Sequence, residues 1–307
     1  MIRSQAYHDL SRVAEVRVVT DAAARPSSAE ATRLVVRPPG RTGRWVVAII
    51  VTMLLAFAVR SAIVNPNFQW PVVGHYLFDP FILSGLLRTI ALTMITMAVG
   101  IVLGGGVALM RASANPILSL AARLYLWIFR GTPLLVQLLF WYNLAALYPR
   151  YDVGIPFLAP SLLQGSVNSL ITPYVAASLG LGLNEAAYMA EIIRAGLGAV
   201  DPGQREAARA LGMRSGQIMR RIVLPQAVPF MIPPIGNEMI GALKTTSLVS
   251  VIALSDLLYS AQTIYSRTFQ TIPLLIVACF WYLLVTSVLG AAQHRLEHLQ
   301  PHRRVRR

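Results

Sequence analysis

Long apolar stretches alternate along the chain with short segments that are polar, basic or rich in proline and glycine. A helix needs about 20 mostly apolar residues to cross the hydrocarbon core of a bilayer, so runs of this length predict membrane spans. Six runs meet this description, and the pattern predicts an all-α integral membrane protein. The predicted spans are 45–64, 86–110, 132–147, 173–193, 228–254 and 272–292.

The composition excludes an ordinary soluble domain. Of the 307 residues, 55% are hydrophobic and 13% are charged, whereas soluble domains carry charge on about a quarter of their residues. The net charge of +14 comes almost entirely from arginines spread between the apolar runs, which indicates no nucleic-acid partner. Cys279 is the only cysteine, so the chain has no intrachain disulfide.

The arginines predict the orientation of the spans, because basic loops stay on the cytoplasmic side during insertion. The segments 1–44, 111–130, 194–221 and 293–307 contain 22 of the 26 arginines. We therefore expect six spans with both termini in the cytoplasm.

The two ends of the chain are predicted to be tails. Residues 1–44 combine eight arginines with four acidic residues and no sustained apolar period, which predicts a flexible cytoplasmic tail. Anionic membrane lipid is one candidate partner for it, although a solvated tail is the simpler interpretation. Residues 296–307 form a second basic cytoplasmic tail. His294, His298 and His302 recur near it at helical spacing, but Pro301 interrupts the helix, so we expect no metal site.

The loop 201–225, between the fourth and fifth predicted spans, reads as a helix, a turn and a second helix. Asp201 is a good N-cap and Pro202 suits the first helical position. Gly212 can adopt the positive φ that ends a helix, Ser215 can cap the next one, and Pro225 is expected to stop it. From the residues alone, a docking element for another protein and an amphipathic connection between two spans are equally good interpretations.

The spacing of Glu206, Ala207, Ala208, Gly212 and the run 222–225 resembles the EAA signature loop of permease subunits of bacterial ABC importers. Three further stretches, 130–137, 187–194 and 237–248, resemble the polar amino acid branch of that family. The resemblance covers about residues 65–295, so it leaves residues 45–64 as an added N-terminal span.

The resemblance implies a type I ABC importer transmembrane domain with a five-helix core and about six transmembrane helices in all, in the cell inner membrane. It implies three kinds of partner: cytoplasmic ABC ATPase subunits, an extracytoplasmic solute-binding protein, and a second permease subunit that is either a copy or a paralogue. The chain has no phosphate-binding loop of the G-x4-G-K-[ST] type, so ATP is expected to bind to the partner, with no cofactor and no enzymatic activity in this chain. The implied coupling residues are Glu206, Ala207, Ala208, Arg209, Gly212, Ile222 and Pro225.

Polar residues within the fifth predicted span form a second candidate site. At helical spacing they share one face, which should avoid lipid because intramembrane charges are costly. The face either contacts substrate along a translocation pathway or joins helices through polar pairing. Its members are Asn237, Glu238, Gly241, Lys244 and Thr245.

Two other features are interpreted as structural. Glu191 and Arg194 lie three residues apart near the end of the fourth span, where an ion pair would neutralise both charges. Gly100 and Gly104 in the second span allow a neighbouring helix to approach closely.

The sequence therefore favours an ATP-driven, binding-protein-dependent importer that moves a polar amino acid or related solute by alternating access. An ion-gradient-driven secondary transporter is the first alternative, but the halves of the chain show no internal repeat. An intramembrane hydrolase is the second, but the histidines form no H-E-x-x-H motif.

Overall fold

The computed structural model describes residues 41–153 and 163–298, and these residues are mostly helical. The predicted all-α membrane fold is confirmed. The structure divides into two units, one ending at Ala62 and the other beginning at Ile63. The predicted tails lie largely outside the described residues. The helices are α1 (Arg41–Val64), α2 (Trp70–Leu77), α3 (Pro80–Arg111), α4 (Pro116–Gly131), α5 (Leu134–Tyr142), α6 (Leu144–Leu147), α7 (Val167–Leu170), α8 (Pro173–Gly198), α9 (Pro202–Ala210), α10 (Ser215–Ile218), α11 (Leu224–Thr245), α12 (Leu257–Thr268) and α13 (Thr271–His298).

Three helices in the described part of the chain are long and apolar enough to cross a bilayer by themselves: α1, α3 and α13. Two bent helix pairs would raise the number to five, α4 with α5 and Ser215–Ile252 with α12. The predicted fourth span corresponds to α8, which is 26 residues long but is not among these helices. Its sequence carries polar and charged groups, including Asn184, Glu185 and Glu191.

The prediction of a single third span over 132–147 is wrong. Residues in this region form the short helices α5 and α6, and α5 has nine residues, a rise of about 14 Å. The preceding helix α4 meets α5 at an angle of 103°. Thr132 between them is extended, with φ −115° and ψ 145°, because a following proline disfavours helical geometry.

The prediction that Pro225 ends the second loop helix is also wrong. α10 continues through a π-helical segment, Met219–Val223, into α11, and Pro225 lies in the first turn of α11. Proline has no N–H to donate to the carbonyl four residues earlier in an α-helix. In a π turn, each backbone N–H donates instead to the carbonyl five residues earlier. The Leu224 N–H accordingly donates to the Met219 carbonyl, and the helix runs past the proline.

The connections on the other side of the predicted membrane contain more structure than the sequence indicated. A two-stranded antiparallel hairpin joins β1 (Arg150–Val153) to β2 (Leu163–Ser166). Residues 256–270, which connect the fifth and sixth predicted spans, are mostly the helix α12. Asp256 caps this helix by accepting a hydrogen bond from Tyr259 N at 2.8 Å. A 3-10 segment, Thr246–Ile252, separates α11 from this helix.

The packing of α3 against α8 holds the centre of the second unit together. A Cβ atom added at Gly100 would lie 2.7 Å from Glu185 Cγ, and one added at Gly104 would lie 2.6 Å from Met189 Cβ. Both distances are shorter than side chains allow, so the two helices approach closely only because these positions are glycine. The predicted packing role of Gly100 and Gly104 is confirmed.

Candidate functional site

The loop helix α9 begins as its sequence indicates. Asp201 is the N-cap, and its carboxylate accepts a hydrogen bond from Gly203 N at 2.7 Å, while Pro202 occupies the first helical position. An Asp side chain at this place satisfies an N–H group that has no partner within the helix. The start of the loop helix is therefore set by local chemistry.

Gly212 ends α9 with a φ of +75°. Met213 N donates to Ala208 O at 3.1 Å and Gly212 N donates to Arg209 O at 2.9 Å. These two bonds form a Schellman motif, in which a residue of left-handed conformation closes the last helical turn. The prediction that Gly212 ends the first loop helix at positive φ is confirmed.

The predicted cap of the second loop helix is misplaced by one residue. Arg214 is the N-cap of α10, and Ser215 is already helical. The Arg214 N–H donates to Gln217 Oε1 at 3.0 Å, so a side chain one turn later satisfies the terminus. A serine at the N-cap would accept a hydrogen bond from a backbone N–H of the helix. Here the N-cap N–H instead donates to a side chain of the helix, which the sequence pattern did not show.

One face of the coupling loop is buried and the other is exposed. Ala208 packs with Val223 and Met231 in a hydrophobic cluster that anchors the loop to the long helices. Leu211 on α9 is 82% exposed, although it is a large apolar residue. An apolar side chain left open on a helix with charged neighbours is typical of a docking surface. The other exposed coupling residues are Glu206, Ala207 and Arg209, with Gly212; Ile222 is half-buried and Pro225 is exposed.

The structure places the polar stripe on one side of α11. Asn237, Lys244 and Thr245 are exposed and Glu238 is half-buried, while Ala242 and Leu243 on the opposite side are buried. Gly241 lies between them, where an added Cβ would come within 3.9 Å of Glu238 Oε2. The five residues therefore do share a face.

Lys244 and Glu238 form no ion pair in the described part of the chain. Asn237 differs, because its Oδ1 accepts a hydrogen bond from Gln293 Nε2 of α13 at 3.0 Å. Gln293 also donates to Pro233 O at 3.2 Å. Asn237 thus helps to join α11 to α13.

Glu185 is a candidate site residue that the sequence analysis missed. It is 7% exposed, and among the described residues its Oε1 has no hydrogen-bond partner. Its helix, α8, packs against α11, the helix that carries Glu238. The signal in the sequence was a glutamate in the interior of the predicted span 173–193, which also contains Glu191.

Glu191 lies in a larger cluster than the predicted pair. The predicted contact is confirmed, since Arg194 Nε lies 2.8 Å from Glu191 Oε2. Arg111 at the end of α3 also bonds Glu191, and Arg130 Nη1 lies 3.5 Å from it. The prediction that the pair neutralises both charges is wrong, because one carboxylate is shared by three guanidinium groups.

The stretches 130–137, 187–194 and 237–248 meet in space. Arg130 lies over the ring of Tyr188, 5.5 Å from its centroid, and Met189 packs with Ala242. Gln137 accepts a hydrogen bond from Asn184 Nδ2 at 3.2 Å. Segments far apart in sequence thus form one polar region beside α8.

Charged groups within membrane spans are typical of proteins that move a solute across the membrane. The chain belongs to the family of binding-protein-dependent transport system inner membrane components, whose model matches residues 99–298. It is therefore a permease subunit of an ABC importer. Of the three classes considered from the sequence, the importer permease is confirmed rather than the secondary transporter or the intramembrane hydrolase.

Curated relatives and a solved structure agree. The arginine transport system permease protein ArgU of Corynebacterium glutamicum is 47% identical over 272 residues, covering 88% of this chain and 84% of the relative. The octopine transport system permease protein OccM of Rhizobium radiobacter is 39% identical over 237 residues, covering 76% and 93%. A crystal structure of an amino acid ABC transporter with histidines is 36% identical, with a TM-score of 0.62, and covers 73% of this chain and 95% of that one.

Proposed function

We propose that this permease imports a cationic amino acid or a guanidinium-containing derivative. The observation that carries the proposal is the buried Glu185, whose Oε1 has no hydrogen-bond partner among the described residues, on α8 where this helix packs against α11, which carries Glu238. Neither glutamate forms an ion pair within the described chain. A guanidinium group would supply the charge-assisted hydrogen bonds that such buried carboxylates need.

Lys244 supports the same proposal from the other end of the stripe. It is six residues after Glu238, a rise of about 9 Å along the helix, similar to the length of an extended arginine. Its ammonium would bind the carboxylate of the amino acid while Glu238 binds the side chain. Arginine and octopine, named for two relatives, both contain a guanidinium group.

The loop 201–225, the coupling loop, would couple ATP hydrolysis in a partner subunit to solute transport. We propose that α9 docks through Leu211 and its charged neighbours into a cytoplasmic ATPase subunit, which binds the ATP, and that an extracytoplasmic binding protein delivers the solute. The chain would lie in the cell inner membrane with both termini in the cytoplasm. ATP-driven movement of the loop would tilt α8 and α11 and expose the stripe to each side in turn.

A second permease subunit would complete the pathway. The stripe of α11 is largely exposed in the single chain, and charged groups on a spanning helix do not face lipid. A copy or paralogue of this chain that covers the stripe would enclose the substrate between the two subunits.

Reconstitution with the neighbouring ATPase and binding protein tests the proposal. Arginine should stimulate ATP hydrolysis, and Glu238→Gln should raise the concentration needed for half-stimulation by about tenfold or more, because a bond to a charged group contributes about 1.5–3 kcal/mol. Glutamine-stimulated hydrolysis should change less. Glu297→Gln, which retains the oxygen that accepts from Gln293 at 3.0 Å, is the matched control. Equal effects of Glu238→Gln on arginine and glutamine would contradict a cation-binding role.

A further inference from the structure

A basic cavity of about 480 Å³ lies beside the polar region, on the side of the molecule where α8 leads into the coupling loop. It lies between the end of α3, the helix α4 and the last turns of α8. Its main lining residues are Arg111, Arg123, Trp127, Arg130, Tyr188 and Glu191.

The cavity carries more positive charge than its one carboxylate balances. Glu191 bonds Arg111 and Arg194 and lies near Arg130. Arg123 is exposed, and no residue in the described ranges forms an ion pair with it. Three guanidinium groups therefore line the cavity with one carboxylate, which also binds Arg194, and the excess positive charge favours an anionic ligand.

The helix α4 supplies an apolar surface next to this charge. Ala122 and Leu126 face the protein and are buried. The opposite side is an apolar stripe with Trp127, 74% exposed, at the edge of the cavity. A helix that is apolar on its outer side, with arginines on its flank, is typical of the membrane interface. The stripe consists of Ile117, Leu120, Leu124, Trp127 and Ile128.

We propose that this cavity binds the phosphate headgroup of an anionic phospholipid, with the acyl chains lying along the apolar stripe of α4. Arginine guanidinium groups match phosphate oxygens in bidentate geometry. The position of Trp127 favours a lipid over free phosphate. Its indole lies at the edge of the cavity, where it can contact an acyl chain but has no apolar group to contact in inorganic phosphate. The site is independent of which amino acid the importer carries.

Lipid binding to the full chain, purified together with its ATPase subunits, tests this site by native mass spectrometry. The probes are phosphatidylglycerol, which is anionic, and phosphatidylcholine, which has no net charge. Arg123→Gln should lower the affinity for phosphatidylglycerol about fivefold, since a basic residue near anionic lipid contributes about that factor. Phosphatidylcholine binding should not change. Arg123 is exposed and outside every ion pair of the described chain, so the variant should fold normally.

Two further variants define the result. Arg267→Gln removes an exposed arginine from α12 and should leave binding of both lipids as in the unaltered protein. Trp127→Ala should weaken the binding of both lipids, because it removes contact with the acyl chains.

Several outcomes would overturn the proposal. Unchanged phosphatidylglycerol binding by Arg123→Gln would do so. Equal losses of phosphatidylglycerol and phosphatidylcholine binding in Arg123→Gln would also do so. Displacement of phosphatidylglycerol by millimolar inorganic phosphate, together with no effect of Trp127→Ala, would indicate a free-phosphate site. Loss of the ATPase subunits from Arg123→Gln with normal lipid binding would indicate an acidic protein segment instead.

Discussion

Two glycines of α3 that look alike in sequence have different surroundings. An added Cβ at Gly104 would lie 2.6 Å from Met189 Cβ and 2.7 Å from Ala186 O, whereas one at Gly106 would meet nothing within 4 Å. The first position needs glycine because α8 packs directly on it. The second is open, so a Cβ atom there meets no other atom of the described chain.

Alanine substitution should separate these two glycines. Gly104→Ala should destabilise the purified protein by about 1–3 kcal/mol, because backbone and side chains of α8 would have to move. Gly106→Ala should be neutral or slightly stabilising, since alanine favours helix more than glycine does. Thermal unfolding of both variants in detergent provides the comparison, and equal melting temperatures would show that α3 and α8 are not in close contact.

Lys244 is the residue whose substitution bears most directly on the two interpretations of the polar stripe. Lys244→Met should lower arginine-stimulated ATP hydrolysis about tenfold or more at low arginine concentration, because a charged contact to the carboxylate is lost. The assembled complex should still purify. Unchanged selectivity and transport would argue against substrate contact, and loss of the complex would support polar pairing between subunits.

At the scale of elements, the direction of α9 depends on the turn that follows it. Gly212 has a φ of +75°, with open space around its Cα, while Gly216 in α10 also has open space but no positive φ. Space therefore cannot account for any difference between substitutions at these two positions. The backbone conformation alone distinguishes them.

Gly212→Val should uncouple the permease from its ATPase. Left-handed geometry costs an ordinary residue about 1–2 kcal/mol, and a β-branched residue more, so α9 should change direction. We expect normal membrane levels, weak co-purification with the ATPase and little transport. Gly212→Asn, which tolerates this conformation, should retain activity, as should Gly216→Val. Normal uptake by Gly212→Val would mean that the loop only connects two helices.

At the scale of the whole molecule, the predicted topology places the coupling loop and α12 on opposite sides of the membrane. A cysteine replacing Thr268 should react with an impermeant thiol reagent in intact cells, and one replacing Ser215 should react only after permeabilisation. Both side chains are exposed, so accessibility depends on the membrane. The exposed Cys279 is replaced by serine in both variants. Labelling in the opposite order would reverse the topology.

The predicted spans 45–64, 86–110 and 272–292, which correspond to α1, α3 and α13, and the start and end of α9 could be predicted from sequence because each depends on residues near one another. Apolar content over 20 residues decides whether a helix enters lipid. Asp201 and Gly212 act through the backbone of their own helix. These features depend on local sequence and not on contacts with distant residues.

Features that depend on distant residues required the structure. The burial of Glu185 reflects packing against α3. The break between α4 and α5 and the π turn before Pro225 lie beside prolines, but the apolar pattern of the sequence did not show them. The sequence showed Glu191 beside Arg194, but Arg111 is 80 residues away from Glu191. The sequence by itself determined a membrane permease with a capped loop helix between two of its spans. Only the tertiary structure decided which charges meet, because an ion pair requires proximity in space, and packing of α3, α4 and α8 creates that proximity.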